Sequence, residues 1–228
     1  MLSLFYQFCC DAILCPDRTM RRTILIKRDV DMFTSLKKAG FALAIVAGLS
    51  GAAVCAQAAE TYKLDPSHTS VIFVVNHLGF SNFQGRFGGA TGDLTLDREN
   101  PAASSASISI DLAQIDSGVE ALDNHMKSAD FFDVANHPTA TFKSTSVELT
   151  GETTATITGD LTILGQTKPV VFDVTLTGEG DNPMSSTHTL GFAATATVTR
   201  SEFGMTYLVP AVSDDVELQI STEFLQQK

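Results

Sequence analysis

Apolar and polar residues alternate with a period of two in six separate runs of this chain, and that pattern restricts the fold more than any other feature. In the first run Val71, Phe73, Val75 and His77 alternate with Ile72, Val74 and Asn76. Ala106, Ile108, Ile110 and Leu112 set the second face, and Ile157, Leu161 and Ile163 the third. Val170, Phe172, Val174 and Leu176 follow, then Leu190, Phe192, Ala194, Ala196 and Val198, and last Val216, Leu218, Ile220 and Phe224. Side chains of a strand point to opposite faces in turn, so each run has one buried and one wet face. Turn signals divide the runs: Asn100-Pro101, Gly151-Glu152, Leu164-Gly165-Gln166 and Asp181-Asn182-Pro183. About eight strands with short links favour an antiparallel meander. Closing such a sheet into a barrel removes its edges, although a two-sheet sandwich satisfies the same alternation.

One segment departs from the period. Ser117-Gly118-Val119-Glu120 has the form of a capping box, and Val119, Leu122, Met126 and Ala129 fall at near-helical spacing. Asp123 and Lys127 stand four apart. The expectation is a short helix over Gly118–Ser128, lying on a barrel opening or its flank.

The segment ahead of the strands has a different texture. Met32-Phe33-Thr34-Ser35-Leu36-Lys37-Lys38 is basic, Ala39 to Leu49 is uncharged and mostly apolar, and Ala56-Gln57-Ala58 follows. That order reads as a secretory signal over 32–59, cut after Ala58 or Ala59. Its apolar stretch is shorter than the about 20 residues of a membrane-spanning helix. Residues 1–31 read as a start assigned too early or as an extended leader, which leaves 60–228 as one domain. All four cysteines, Cys9, Cys10, Cys15 and Cys55, precede it. A domain without cysteine has no disulfide, thiol nucleophile or thiolate metal site, and its stability rests on a hydrophobic core.

From Glu60 onward there are 8 Lys and Arg against 22 Asp and Glu, a net charge of −14. Such a field repels nucleic acid and anionic headgroups, so neither a polyanion nor a stable membrane anchor is expected. The five histidines show no H-x-H or H-E-x-x-H spacing, and no G-x-S-x-G elbow positions a serine. No catalytic residue and no metal ligand is therefore assigned; the histidines are read as hydrogen-bonding groups of turns and strand ends. Gly85-Arg86-Phe87-Gly88-Gly89 precedes a strand-like run, not a helix, and is read as a bend at a barrel rim rather than a phosphate loop. Eleven phenylalanines remain in the domain. They fill a core or line a cavity, since an eight-stranded barrel is wide enough for a small ligand.

Four motifs in order resemble the YceI-like family of periplasmic polyisoprenoid-binding proteins, over Tyr62 to Phe224. The first is His68-x-x-Val71-x-Phe73-x-Val75-x-His77-Leu78-Gly79-Phe80 with Gly85-x-Phe87. The second is Asp123-x-His125-Met126-Lys127-Ser128-x-Asp130-Phe131-Phe132-Asp133, with Pro138 and Phe142-x-Ser144. The third is Gly159-Asp160-Leu161-Thr162-Ile163-x-Gly165-x-Thr167-Lys168-Pro169-Val170, and the fourth Arg200-Ser201-x-Phe203-Gly204-Met205. The resemblance implies an all-β, antiparallel eight-stranded lipocalin-like barrel with one short helix, located in the periplasm. It also implies a homodimer without a cofactor, holding a polyprenol, a quinone tail or another long amphipathic lipid, with no enzymatic reaction. The expected wall is Phe73, Val75, Leu94, Ile108, Ile110, Phe142, Leu161, Ile163, Phe172, Val174 and Phe192. His77, Phe80, Phe87, Met126, Phe131 and Phe132 are expected at the mouth. His125, Asp130, Arg200 and Phe203 are expected to hold the helix and loops. A barrel filled by its own side chains, and an enzyme using a histidine base on a bound lipid, are the rival readings.

Overall fold

A computed structural model describes residues 59–227. The expected signal segment and the residues before it lie outside that range, except Ala59. The strands are β1 (Glu60–His77), β2 (Ser81–Phe87), β3 (Thr91–Leu96), β4 (Ser105–Asp111) and β5 (Ile115–Asp116). After a single α-helix, α1 (Glu120–Met126), come β6 (Thr139–Leu149), β7 (Thr154–Ile163), β8 (Gln166–Asp181), β9 (His188–Thr199) and β10 (Asp215–Gln226). All pairings are antiparallel. The order β10-β9-β8-β7-β6-β4-β3-β1 closes through β10–β1, which gives the eight-stranded barrel. The sandwich alternative is thereby excluded.

The long β1 has two roles. Over most of its length it pairs with β10, from Tyr62↔Gln226 to Val74↔Glu217, with a break between Asp65 and Ser70. Its first residues pair on the other side with β3, completing the ring, while Val71–His77 pairs with β2 instead. Past the stretch that pairs with β3, therefore, one part of the wall is a hairpin, with the short β5 at its outer edge.

Three irregularities keep apolar side chains inward. Between Asp65 and Ser70 of β1, five steps oppose two of β10, from Glu223 to Ser221. The three extra residues are an odd number, so the inward set changes from Tyr62 and Leu64 to Val71 and Phe73. One extra residue between Ser144 and Ser146 of β6 does the same relative to β7, and one between Leu176 and Gly178 of β8 relative to β9. Phe142 and Val147 therefore face the same interior despite their odd spacing.

The helix is shorter than its sequence pattern, and its cap differs. Val119 is the N-cap, in extended backbone, because Gly118 at φ +76° turns the chain so that the helix starts two residues later than the capping box requires. Ser117 is thus too far upstream to pair with Glu120. It is Asp123 that reaches back, accepting from the Ser117 backbone N–H at 2.7 Å and from its hydroxyl. With Asp123 so engaged, the expected Asp123–Lys127 pair is not among the ion pairs of the described residues. Of the expected apolar face, Leu122 and Met126, one turn apart, face inward, whereas Val119 is exposed at the N-cap and Ala129 lies beyond the helix.

Candidate functional site: a two-chamber apolar tunnel

The barrel is not filled. Two cavities of about 470 and 490 Å³ lie along its axis. Both touch Val71, Ile110, Ala140, Leu161 and Leu218, which form a common waist. On one side is a mouth chamber lined by Phe73, Val75, Phe83, Phe87, Leu122, Met126, Phe131, Phe132 and Ile163. On the other is a far chamber lined by Leu64, Leu94, Ile108, Phe142, Phe172, Val174, Leu190, Phe192 and Phe224. Aromatic rings pack edge-on within each wall. Phe142 and Phe172 stand 5.0 Å apart, Phe87 and Phe132 5.5 Å apart.

Sixteen of the seventeen expected wall and mouth residues line one chamber or the other. Phe80 does not. It sits on the β1–β2 turn, 89% exposed, because Leu78 and Gly79 at φ +56° and +76° turn the chain away from the barrel just beyond the wall. The inward faces of β1 and β10 supply further lining residues: Val71, Leu218 and Val216. Their alternation carries the same signal as the selected strands. Met205, Leu208 and Val212 also line the mouth, from an irregular segment with no period to reveal them.

Two glycines are fixed by the rings beside them. A Cβ on Gly85 of β2 would overlap the Phe73 ring, and one on Gly159 of β7 would overlap the Phe142 ring. Gly85 therefore serves close side-chain approach within a strand, not the rim bend expected of it.

Each end of the tunnel has one arginine whose guanidinium is already engaged. At the mouth, buried Arg200 donates to four backbone carbonyls: Ser213 (2.9 Å), Met205 (3.1 Å), Tyr207 (2.8 Å) and Val212 (3.1 Å). Burial lowers its pKa, opposed by Asp214. Arg200 therefore shapes the 204–213 loop, as expected, while also lining the mouth chamber with Phe203 and His125. At the far end Arg98 binds Glu60 and Glu179 at 2.9 and 2.7 Å, and Glu60 accepts from the Tyr62 hydroxyl. Arg98 holds both carboxyl groups below their ordinary pKa, and burial with the Glu60 contact pushes Tyr62 up to about 12. His188 lies between Asp181 (3.0 Å) and Glu179 (3.2 Å), which raise its pKa. Among the described residues no buried side-chain polar atom lacks a partner. The chambers are lined mainly by aliphatic and aromatic side chains, with polar groups that include His77, Ser81 and Arg200 in the mouth chamber and Arg98, Glu152 and Glu179 in the far one.

Two of the other histidines, His125 and His68, are engaged at turns, whereas no side-chain hydrogen bond holds His77 or His137 among the described residues. His125 Nε2 lies 3.0 Å from Asp130, and its ring meets Phe131 and Tyr207 edge-on at 5.1 and 5.4 Å. His68 Nδ1 is 2.8 Å from Asp65 and 3.9 Å from Glu223, at the β1 bulge, and Asp65 foremost raises its pKa. That ion pair accounts for the grouping of these three side chains.

A closed antiparallel barrel with an apolar bore defines a lipocalin-like class of protein. Within it, residues 62–224 match the YceI-like domain, and the chain belongs to that family. It is 41% identical over 194 residues to a UPF0312 protein of Ectopseudomonas mendocina, covering 84% of this chain and all of the relative. It is 39% identical over 191 residues to Protein YceI of Salmonella arizonae, covering 83% and 97%. Among solved structures, Burkholderia cenocepacia BcnA superposes with a TM-score of 0.64 at 25% identity, over 70% of this chain and 98% of that one. A polyisoprenoid-binding domain from Saccharophagus degradans shares the fold at a TM-score of 0.53 and 13% identity, over 73% and 98%.

Proposed function

We propose that this protein binds and carries a long-chain isoprenoid, or a lipid of similar shape such as a quinone with its tail, within the barrel. The observation that carries this reading is the waist: two apolar chambers meet there, so one extended chain would thread both. Each buried methylene gains about 0.8 kcal/mol, so ten carbons gross about 8 kcal/mol, part of which ordering of the ligand takes back. Hydrocarbon contact is therefore sufficient for affinity, in keeping with walls built mainly of aliphatic and aromatic side chains. The solved domain from Saccharophagus degradans, described as polyisoprenoid-binding, supports the assignment by its shared fold. The same reading places the mature chain in the periplasm as a homodimer without catalytic activity. His77 and His125, the groups an enzyme reading would use, sit at the rim of the mouth chamber, and His125 is held by Asp130.

Organic extraction of protein purified from its native compartment, followed by mass spectrometry, tests the proposal. A stoichiometric prenol, quinone or comparable long-chain lipid is expected. Protein that emerges empty, and that takes up no prenol after delipidation, overturns it.

A further inference from the structure

The mouth has two unlike sides. On one side α1 and the turn after it carry Glu120, Asp123, Asp130 and Asp133 against a single Lys127. On the other, the β1–β2 turn and the 204–213 loop carry no charge. Between Asp65 and Arg86, and again between Glu202 and Asp214, the sequence has no Asp, Glu, Lys or Arg. In a domain of net charge −14 that gap is local and paired, because the fold straps the two segments together. Leu78 donates to the Ala211 carbonyl at 2.9 Å, Ser213 to the Asn76 carbonyl at 2.9 Å, and His77 pairs with Val212.

This uncharged rim is also apolar and outward. Phe80 is 89% exposed, Leu78 50% and Leu208 47%. Leu78 and Leu208 both have left-handed backbone, at φ +56° and +58°. Glycine or asparagine adopts that conformation at less cost, so turn chemistry does not account for leucine at either place. Nor does core packing, since both side chains face solvent for about half their surface. Leu208 in addition lines the mouth chamber, so the apolar rim is continuous with the bore.

We infer that this rim docks on the surface of an uncharged or zwitterionic lipid bilayer, with Leu78 and Phe80 entering the interface beside the tunnel mouth. Resting on the carrier reading, the inference adds where cargo is exchanged. The charge pattern selects the occupant. Protruding aromatic and aliphatic tips without a basic neighbour gain from the interfacial region of a bilayer. The acidic α1 side disfavours anionic lipid. Docking should therefore be insensitive to salt and weaken as anionic lipid is added.

The test uses the mature chain and phosphatidylcholine vesicles, with Leu78→Ser, Phe80→Ser and the double variant. Neither residue lines the tunnel, so uptake of a polyprenol from detergent dispersion should stay at the wild-type level. Co-flotation with vesicles should fall at least about tenfold in the double variant, the loss expected when two such side chains leave an apolar phase. Transfer of polyprenol out of vesicles should slow in step. Wild-type protein that does not float, or variants that float equally, overturn the docking inference whatever the uptake result. Variants that become monomeric while vesicle binding persists overturn it in favour of a second copy of this chain on the rim. Failure of uptake from dispersion with flotation intact defeats the carrier reading alone.

Discussion

The two chambers are similar in size and equally apolar, yet they are walled by different means. The far chamber is enclosed by strand ladders, with β1, β3, β4 and β6 to β10 hydrogen-bonded around it. The bulges of β6 and β8 lie in its wall, and the Arg98 network spans its end. The mouth chamber is completed by a hairpin, a seven-residue helix and an irregular loop. Ladder bonds hold a wall against the loss of any single contact, whereas loops rely on a few anchors and open at lower free energy. The comparison indicates a rigid holder joined to an adjustable gate, and four measurements would break or sharpen it.

The largest effect is expected at the waist. Leu161→Trp adds bulk where the chambers join. If it excludes about five methylenes from the far chamber, long-chain affinity drops by about 4 kcal/mol, near a thousandfold. Short prenols that need only the mouth chamber should bind almost as before. Titration with a chain-length series reads this out, and equal affinity for all lengths would mean that ligand does not thread the waist. Next in size is truncation of one ring in each wall. Phe172→Ala should cost about 3–5 kcal/mol in urea unfolding. Phe132→Ala, half-buried among loops, should cost roughly half as much, and equal losses would erase the distinction.

A third pair contrasts the two close-approach glycines. Gly159→Ala meets the Phe142 ring and also the Lys143 carbonyl oxygen at 2.6 Å, which as backbone cannot turn aside. Gly85→Ala meets only the Phe73 ring, which can swing into the mouth chamber. Overpacking costs about 1–3 kcal/mol, with Gly159→Ala toward the upper figure. Gly85→Ala should be milder in stability but reduce prenol capacity. Thermal unfolding and uptake measured on both variants separate the cases.

The smallest effect is a pH dependence confined to the far end. His188 has a raised pKa, so its contribution is complete below its ordinary 6.5 and is lost as pH rises through the folded value. Glu60 and Glu179 are depressed, so theirs is complete above the ordinary 4.5 and is lost as pH falls through their folded values. The network is whole between about 4.5 and 6.5. His188→Gln should remove the alkaline decline, a matter of a few tenths of a kcal/mol for partly exposed pairs. A melting-temperature profile over pH that is identical in both proteins would show that the far end needs no such lock.

The contrast also explains what the sequence discloses. Period-two alternation marks residues on ladders, and so Leu161, Phe172 and Phe192 were legible as wall. The same rule reads β1 only from Val71, because the three-residue bulge after Asp65 reverses the phase and hides Tyr62 and Leu64. At the mouth the signal weakens further. Ser117 and Glu120 have the spacing of a cap, but Gly118 shifts the helix start and Asp123 takes the role. Phe80 looks like part of the first motif's apolar face, yet a left-handed turn carries it outside. Met205, Leu208 and Val212 owe their inward positions to the hydrogen bonds of Arg200, which no periodicity encodes.

Those four bonds also assign motion. The 204–213 loop cannot lift without stripping a buried guanidinium of its carbonyl partners together, whereas α1 and the turn after it meet that loop through edge-on contacts among the rings of His125, Phe131 and Tyr207. Edge-on rings slide and part without leaving an unsatisfied donor. Any widening of the mouth is therefore expected on the helix side, with the Arg200 loop as the side that stays in place.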